Sequence, residues 1–314
     1  MIEISTIRIG ARGSNLSLRQ VTLVADMLKS AHPELLVEVC EITTIGDRLL
    51  DTPLPMIGGK GVFTGEIEAA LFDGRIDLAV HSLKDLPTGE LTDVVIGAIP
   101  VRGSPVDVLI GRTAARLADL PAGACIGTSS PRRGSQLKRF RTDLQPTSIR
   151  GNVETRLRKG SDPALGYDAV VLAAAGLDRL GIAGQITETL PIDIMLPAPG
   201  QGALAVQCRD EVRIRRLLAS INHPPTDLAV TAERAFLQGL GGGCSAPIAA
   251  LGRFSGGSLN LIGRVLTADG SRSIDVSTSE PCADRNAARD IGLALAHLAI
   301  ERGAGAMVEA GAIS

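Results

Sequence analysis

The sequence predicts an α/β protein closed by a small α+β unit at its C-terminal end. Three observations carry this. Apolar strand patterns alternate with amphipathic helix patterns through the first half of the chain. The alternation restarts after 94-VVIGAIPVRGSP-105, which implies a second unit of the same kind. Beyond residue 246 the pattern changes to three alternating segments separated by Gly, Ser and Asp turns, as in an antiparallel meander.

In the first unit, 6-TIRIGA-11 reads as a strand and 16-LSLRQVTLVADMLKSA-31 as a helix. A strand follows at 35-LLVEVCEITT-44, a helix at 63-FTGEIEAALFDG-74 and a strand at 76-IDLAVHSL-83. This order demands a parallel sheet with crossover helices. In the second unit, strands are expected at 107-DVLIG-111, 124-ACIGTS-129, 147-TSIRG-151 and 169-AVVLAAA-175, with helices opening at Ser130, Asn152 and Gly176. The Pro/Gly zone 191-PIDIMLPAPGQGA-203 then leads to a strand, 203-ALAVQC-208, expected to return to the first sheet. A helix over 226–240, capped by Thr226 or Asp227, precedes the meander at 247–254, 259–267 and 271–279, and a last helix covers 284–302. The expected domains are 1–100 with 200–221, then 101–199, then 222–314.

The totals narrow the function. The 314 residues are 45% hydrophobic and 21% charged, a globular composition. The start, MIEISTIRIGARGS, lacks a basic segment followed by an apolar run, and no run is long and apolar enough to span a bilayer, so a cytoplasmic protein without a membrane partner is expected. Five scattered cysteines without a CxxC pair argue against a disulfide framework, and four dispersed histidines against a metal site. Five Phe, one Tyr and no Trp leave too few rings for stacking nucleic acid.

Charge is unevenly distributed. Residues 124–180 hold ten Lys and Arg, eight of them Arg, against five Asp and Glu, although the whole chain is −2. Arginine's planar fork suits carboxylate and phosphate ligands, while a solvated basic surface is the plainer reading.

Four stretches carry chemistry. In 79-AVHSLKDLP-87, polar residues gather where a buried strand surfaces; Lys84 and Asp85 form either a surface pair or a cleft site in which Asp85 answers a developing cation. In 127-GTSSPRRGSQ-136, hydroxyls and two arginines stand at a helix start, which favours an anion, and the spacing is not that of a Walker P-loop. In 149-IRGNVETRLRK-159, Asn152 caps a helix, Arg150 and Arg156 face the same mouth, and Arg158 and Lys159 point to solvent. In 239-GLGGGCSAPIAA-250, Cys244 follows three glycines. It has no nearby histidine to lower its thiol pKa. A buried cysteine and a mobile covalent tether both remain open for it.

Together these stretches resemble the porphobilinogen deaminase (hydroxymethylbilane synthase) family. The likeness runs in order through 8-RIGARGSNLSL-18, 46-GDRLLDTPLPMIGGKGVFTGEIE-68, 79-AVHSLKDLP-87, 127-GTSSPRRGSQL-137, 150-RGNVETRL-157, 172-LAAAGLDRLG-181, 196-LPAPGQGALAVQCR-209, 230-VTAERAF-236 and 240-LGGGCSAPI-248. It implies two domains like the lobes of type-II periplasmic binding proteins and a third carrying the cysteine loop. The implied reaction condenses four porphobilinogen molecules into hydroxymethylbilane with release of ammonia. It extends a dipyrromethane cofactor held by a thioether, here on Cys244. The resemblance assigns Asp85 to the pyrrole N–H groups and the cation formed as ammonia leaves. It assigns Lys84, Ser130, Arg132 and Arg133, with Thr128 nearby, to cofactor carboxylates. Arg12, Ser14, Arg150, Arg156 and Arg179 are assigned to the next ring or incoming substrate. A monomer is implied. Two positions depart from the family pattern: Val106 stands where an arginine often occurs, which leaves an anion contact or interdomain link missing or moved, and Ile45 stands where a basic residue can occur. The competing reading is a two-lobed binding or sensor module for a small anion, which leaves Cys244 without a role.

Overall fold

The computed structural model describes residues 4–43, 65–89, 94–242 and 246–312. Contacts divide the chain into two compact units, Met1–Arg102 with Ala203–Asp227 and Gly103–Gly202 with Leu228–Ser314.

The first unit is built on a five-stranded sheet. β1 (Thr6–Ala11) lies between β2 (Leu36–Glu41) and β3 (Leu78–Ser82), all parallel. β10 (Leu204–Arg209) then pairs antiparallel with β3 and with β4 (Val94–Ala98). The return of 203–208 to the first sheet is therefore as expected. Helices α1 (Asn15–Ala31) and α6 (Val212–Ala219) cover one face, burying Ile9, Val24, Leu28, Leu78, Val206 and Leu217. Helix α2 (Gly65–Phe72) covers the other, with Ile67, Leu71, Ile76 and Ala79. Each buried side chain of this kind contributes roughly 1.5–3 kcal/mol relative to its exposed state.

The second unit holds a sheet of the same spatial arrangement, its antiparallel inserted strand coming first in the chain instead of last. β6 (Cys125–Gly127) is flanked in parallel by β7 (Gln145–Thr147) and β8 (Ala169–Ala173), and β5 (Asp107–Gly111) runs antiparallel between β8 and β9 (Glu188–Thr189). Helices α3 (Pro131–Phe140), α4 (Val153–Ser161) and α5 (Ala174–Leu180) follow β6, β7 and β8. The same unit contains the meander β11 (Ile248–Ser255), β12 (Ser258–Leu266) and β13 (Ser273–Pro281), reached through α7 (Pro224–Gly239) and covered by α8 (Arg285–Glu301) and α9 (Ala304–Ala312).

Several expected boundaries move. β7 was expected at 147–151 but occupies 145–147, with Pro146 inside it. Proline is tolerated there because β7 is an edge strand, where no ladder partner needs its missing N–H on one side. Helix α7 opens at Pro224, so Thr226 and Asp227 lie in its first turn; proline suits that turn because its N–H would have no intrahelical acceptor. Helix α5 opens at Ala174, two residues before Gly176. Helices α6 and α9 and strands β4 and β9 have no counterpart in the sequence reading.

Candidate functional site

Parallel strands end on a common edge, and the site residues collect at such edges. In the first unit β1 and β3 pair in register at Ile9–Leu78 and Gly10–Ala79, so Arg12 and the turn after Ser82 emerge side by side. Ser14 caps α1, its Oγ accepting from the Ser17 N–H at 3.3 Å. The Arg12 N–H donates to Ser17 Oγ at 3.0 Å, which fixes the backbone of the half-buried Arg12. Gln20 of α1 donates to Ser82 Oγ at 2.8 Å and ties that helix to the end of β3.

A short 3-10 turn, Leu83–Asp85, follows β3. Leu83 is buried and its N–H donates to Ala203 O at 3.0 Å; Leu86 is also buried. These two anchors leave Lys84 half-buried and Asp85 exposed. The Asp85 carboxylate makes no ion pair among the described residues. Two positions earlier than this turn, His81 is buried, and burial, reinforced by the Arg12 charge, lowers its pKa to about 4. It is neutral near pH 7 and supplies no second cation beside Arg12.

The second unit repeats the arrangement. Ser130 caps α3, accepting from the Arg133 N–H at 3.5 Å, and the buried Thr128 Oγ1 accepts from the Ser130 N–H at 3.3 Å. Asn152 caps α4, its Oδ1 accepting from the Thr155 N–H at 2.8 Å. Arg156 Nε donates to Gly151 O at 2.8 Å, and Arg179 Nη2 donates to Gly202 O at 2.7 Å. Burial lowers the Arg179 pKa. Arg150, Arg156 and Arg179 are all half-buried; Arg150 and Arg156 flank the start of α4, while Arg179 stands in the last turn of α5. Lys159, expected in solvent, instead donates from Nζ to Arg150 O at 3.2 Å; Arg158 is exposed as expected.

Arg132 and Arg133 have a partner the sequence did not announce. Both are buried and both bond Asp107, which is 0% exposed: Arg132 Nη1 to Oδ2 at 2.7 Å, Arg133 Nη2 and Nε to Oδ1 at 2.7 and 2.9 Å. Arg132 Nη1 also reaches Leu196 O, Arg133 Nη1 reaches Val171 O, and Gln201 Nε2 donates to Asp107 Oδ1 at 3.0 Å. Two guanidinium groups share one carboxylate, so an excess positive charge sits beneath the N-terminus of α3. Burial lowers the Arg132 pKa. A buried excess cation at a helix N-terminus fits an anionic group.

The sequence reading missed Asp107 and Glu233. Glu233, 0% exposed, accepts from the Gly200 N–H at 2.6 Å and the Gly252 N–H at 2.7 Å. The available signal was a charged residue inside an otherwise apolar run, as in 107-DVLIG-111. Val106 packs against the apolar cluster of Val108, Ile149 and Leu172. Ile45 and Cys244 lie outside the described residues. Among the described residues no group of His, Cys, Asp and Glu has metal-site geometry, and no helix is long and apolar enough to cross a membrane.

Residues 7–215 match the family described as porphobilinogen deaminase, dipyromethane cofactor binding domain, and residues 228–301 match its C-terminal domain. The porphobilinogen deaminase of Geobacter metallireducens is 48% identical over 299 residues, covering 95% of this chain and 92% of that protein. The porphobilinogen deaminase of Desulforudis audaxviator is 48% identical over 308 residues, covering 97% and 98%. A YaeC-family lipoprotein structure from Enterococcus faecalis superposes with a TM-score of 0.42 at 14% identity, covering 70% of this chain and 92% of that one.

Proposed function

Because this chain belongs to the porphobilinogen deaminase family, we propose that Asp85 is its catalytic carboxylate and that the two sheet edges supply its anion contacts. The chain is a transferase. It condenses porphobilinogen into the linear tetrapyrrole hydroxymethylbilane with release of ammonia, and it carries a dipyrromethane-cofactor-binding domain. The cofactor, when bound, supplies the pyrrole terminus that each new ring joins.

The observation that supports this reading most directly is that both signs are present: a carboxylate for a transient cation and arginines for fixed anions. The first sheet edge presents an exposed carboxylate, Asp85, beside the cations Arg12 and Lys84. The second presents capped helix N-termini, half-buried arginines and the excess charge of the Arg132–Arg133–Asp107 group. A carboxylate stabilises the positive charge that develops as ammonia departs, and it holds or moves the proton of a pyrrole N–H. Guanidinium groups and helix N-termini hold the fixed acetate and propionate groups. In this reading Lys84, Thr128, Ser130, Arg132 and Arg133 hold cofactor carboxylates, and Arg12, Ser14, Arg150, Arg156 and Arg179 hold the growing end or the incoming substrate. Because Arg132 and Arg133 already bond Asp107, their contribution is a positioned residual charge. Cys244 is the attachment point, and its run of glycines suits a pliable tether.

The reading extends to a cytoplasmic monomer, with sedimentation at the 32.5 kDa chain mass as its check. The decisive experiment is the intact mass of the purified protein. It should exceed the chain mass by one dipyrromethane, and Cys244→Ser should remove that increment. A native chain of bare sequence mass that consumes no porphobilinogen would refute the assignment.

A further inference from the structure

We infer that Gln136 and Arg264 are positioning residues: a buried network running Arg264–Gln136–Leu196–Arg132–Asp107 sets the anion-binding end of α3 against the C-terminal meander. The inference rests on the functional reading above.

Gln136 is 1% exposed, yet its amide is fully used. Its Oε1 accepts from the Leu196 N–H at 2.9 Å and from Arg264 Nη1 at 3.0 Å. Its Nε2 donates to Leu196 O at 3.0 Å and to Arg132 O at 3.2 Å. Leu196 O is shared with Arg132 Nη1 at 2.7 Å, and the same Nη1 bonds Asp107. The glutamine thus grips the segment that in turn grips a proposed cofactor-binding arginine.

The other end of the network lies on β12. Arg264 is buried and also donates to Asp193 O at 2.9 Å. It stands opposite Ala249 of β11, the strand that follows the Cys244 loop. The neighbouring Leu266 N–H donates to Pro247 O at 3.1 Å, and the Ala250 N–H donates to Pro197 O at 3.0 Å. Leu196 itself packs on Ala249 and Leu251. One short segment, 193–197, is therefore bonded on one side to α3 and on the other to β11 and β12.

Packing alone does not call for this arrangement. An apolar side chain at position 136 would avoid desolvating an amide, whereas a fully satisfied polar junction selects one register among many apolar alternatives. Register matters here because the primer is anchored through the loop before β11 and held by its carboxylates near α3. A misplacement of about 1 Å between anchor and holder costs on the order of a hundredfold in rate.

The test compares Gln136→Leu with Ser135→Ala in the full chain. Ser135 is also buried on α3 and also reaches the meander, through Ala268 O at 3.2 Å, but it lies outside the network. Intact mass, kcat and KM for porphobilinogen, and Tm are read for each. Gln136→Leu should retain the dipyrromethane increment while kcat falls by roughly tenfold or more and KM stays within about twofold, since the effect is on primer position rather than substrate capture. Ser135→Ala should lower Tm with kcat within about twofold of the parent. If Gln136→Leu fails to fold, Arg264→Lys decides, because the shorter single-point cation cannot serve both Gln136 and Asp193, and kcat should again fall with KM held. Unchanged kcat in the folded Gln136 variant, or in Arg264→Lys, overturns the inference while leaving the functional reading intact. A parent chain without the dipyrromethane increment overturns that reading and this inference with it.

Discussion

Asp85 and His81 sit four residues apart and meet opposite environments. The buried Leu83 and Leu86 lift Asp85 into solvent, while His81 is buried because β3 is covered on both faces of its sheet. Asp85→Ala removes the carboxylate proposed to answer the developing cation, and among the described residues it makes no ion pair. Its kcat should fall by about 10²–10⁴-fold while the dipyrromethane increment stays on the chain, as read by porphobilinogen consumption and mass. For His81 the sign follows from burial. The unfolded imidazole titrates near 6.5 and the folded one at about 4, so within that window the unfolded chain binds the extra proton. The contribution is fully present above about pH 6.5 and is lost as pH falls toward 4, a change on the order of 3 kcal/mol. His81→Leu should therefore show a shallower decline of Tm from pH 7 to pH 4 than the parent. An identical decline would mean other groups set the acid limb.

At the scale of elements, the proposed anion contacts depend on how helices begin. Ser14, Ser130 and Asn152 each cap a helix that follows a parallel strand, and the sequence marked Ser130 and Asn152 as helix starts. Gly151 has φ 115°, and a Cβ there would meet the Thr155 Cγ2 at 2.5 Å, which is why a glycine precedes the cap. Asn152→Ala should lower unfolding stability by about 1 kcal/mol, seen as a shifted urea midpoint at unchanged slope. Arg150 flanks this cap, so turnover should fall as well. The elements missed from the sequence share a cause. β9 is two residues long and β4 has only its two ends buried, so neither shows clear alternation. Helix α6 carries three arginines among its eight residues, and Ile214, Leu217 and Leu218 become its core face only once the sheet is beneath them.

For the whole molecule, Asp107 is the residue on which the second sheet and its charges converge. It opens β5 at 0% exposure and neutralises part of Arg132 and Arg133. Asp107→Asn leaves those buried guanidinium groups without their anion and should cost about 3–5 kcal/mol in denaturant unfolding. A loss under about 1 kcal/mol would show that the arginines find another partner or solvent. The same substitution should lower cofactor retention, because α3 loses its hold on β5.

The sequence by itself determined the alternation of strands and helices, the helix starts at Ser130 and Asn152, the emergence of a polar turn at Asp85 and the inventory of arginines. These follow from short-range periodicity and from capping chemistry written within a few residues. Only the tertiary structure decided what each arginine does. Arg132 and Arg133 read like Arg150 and Arg156 along the chain, yet the first pair is locked on Asp107 and the second stands half-buried near a helix start. Asp107 lies 25 positions before Arg132, on the strand beside β8. Ion-pair choice depends on which groups are desolvated together, and that is set by the antiparallel insertion of β5 and not by any local pattern.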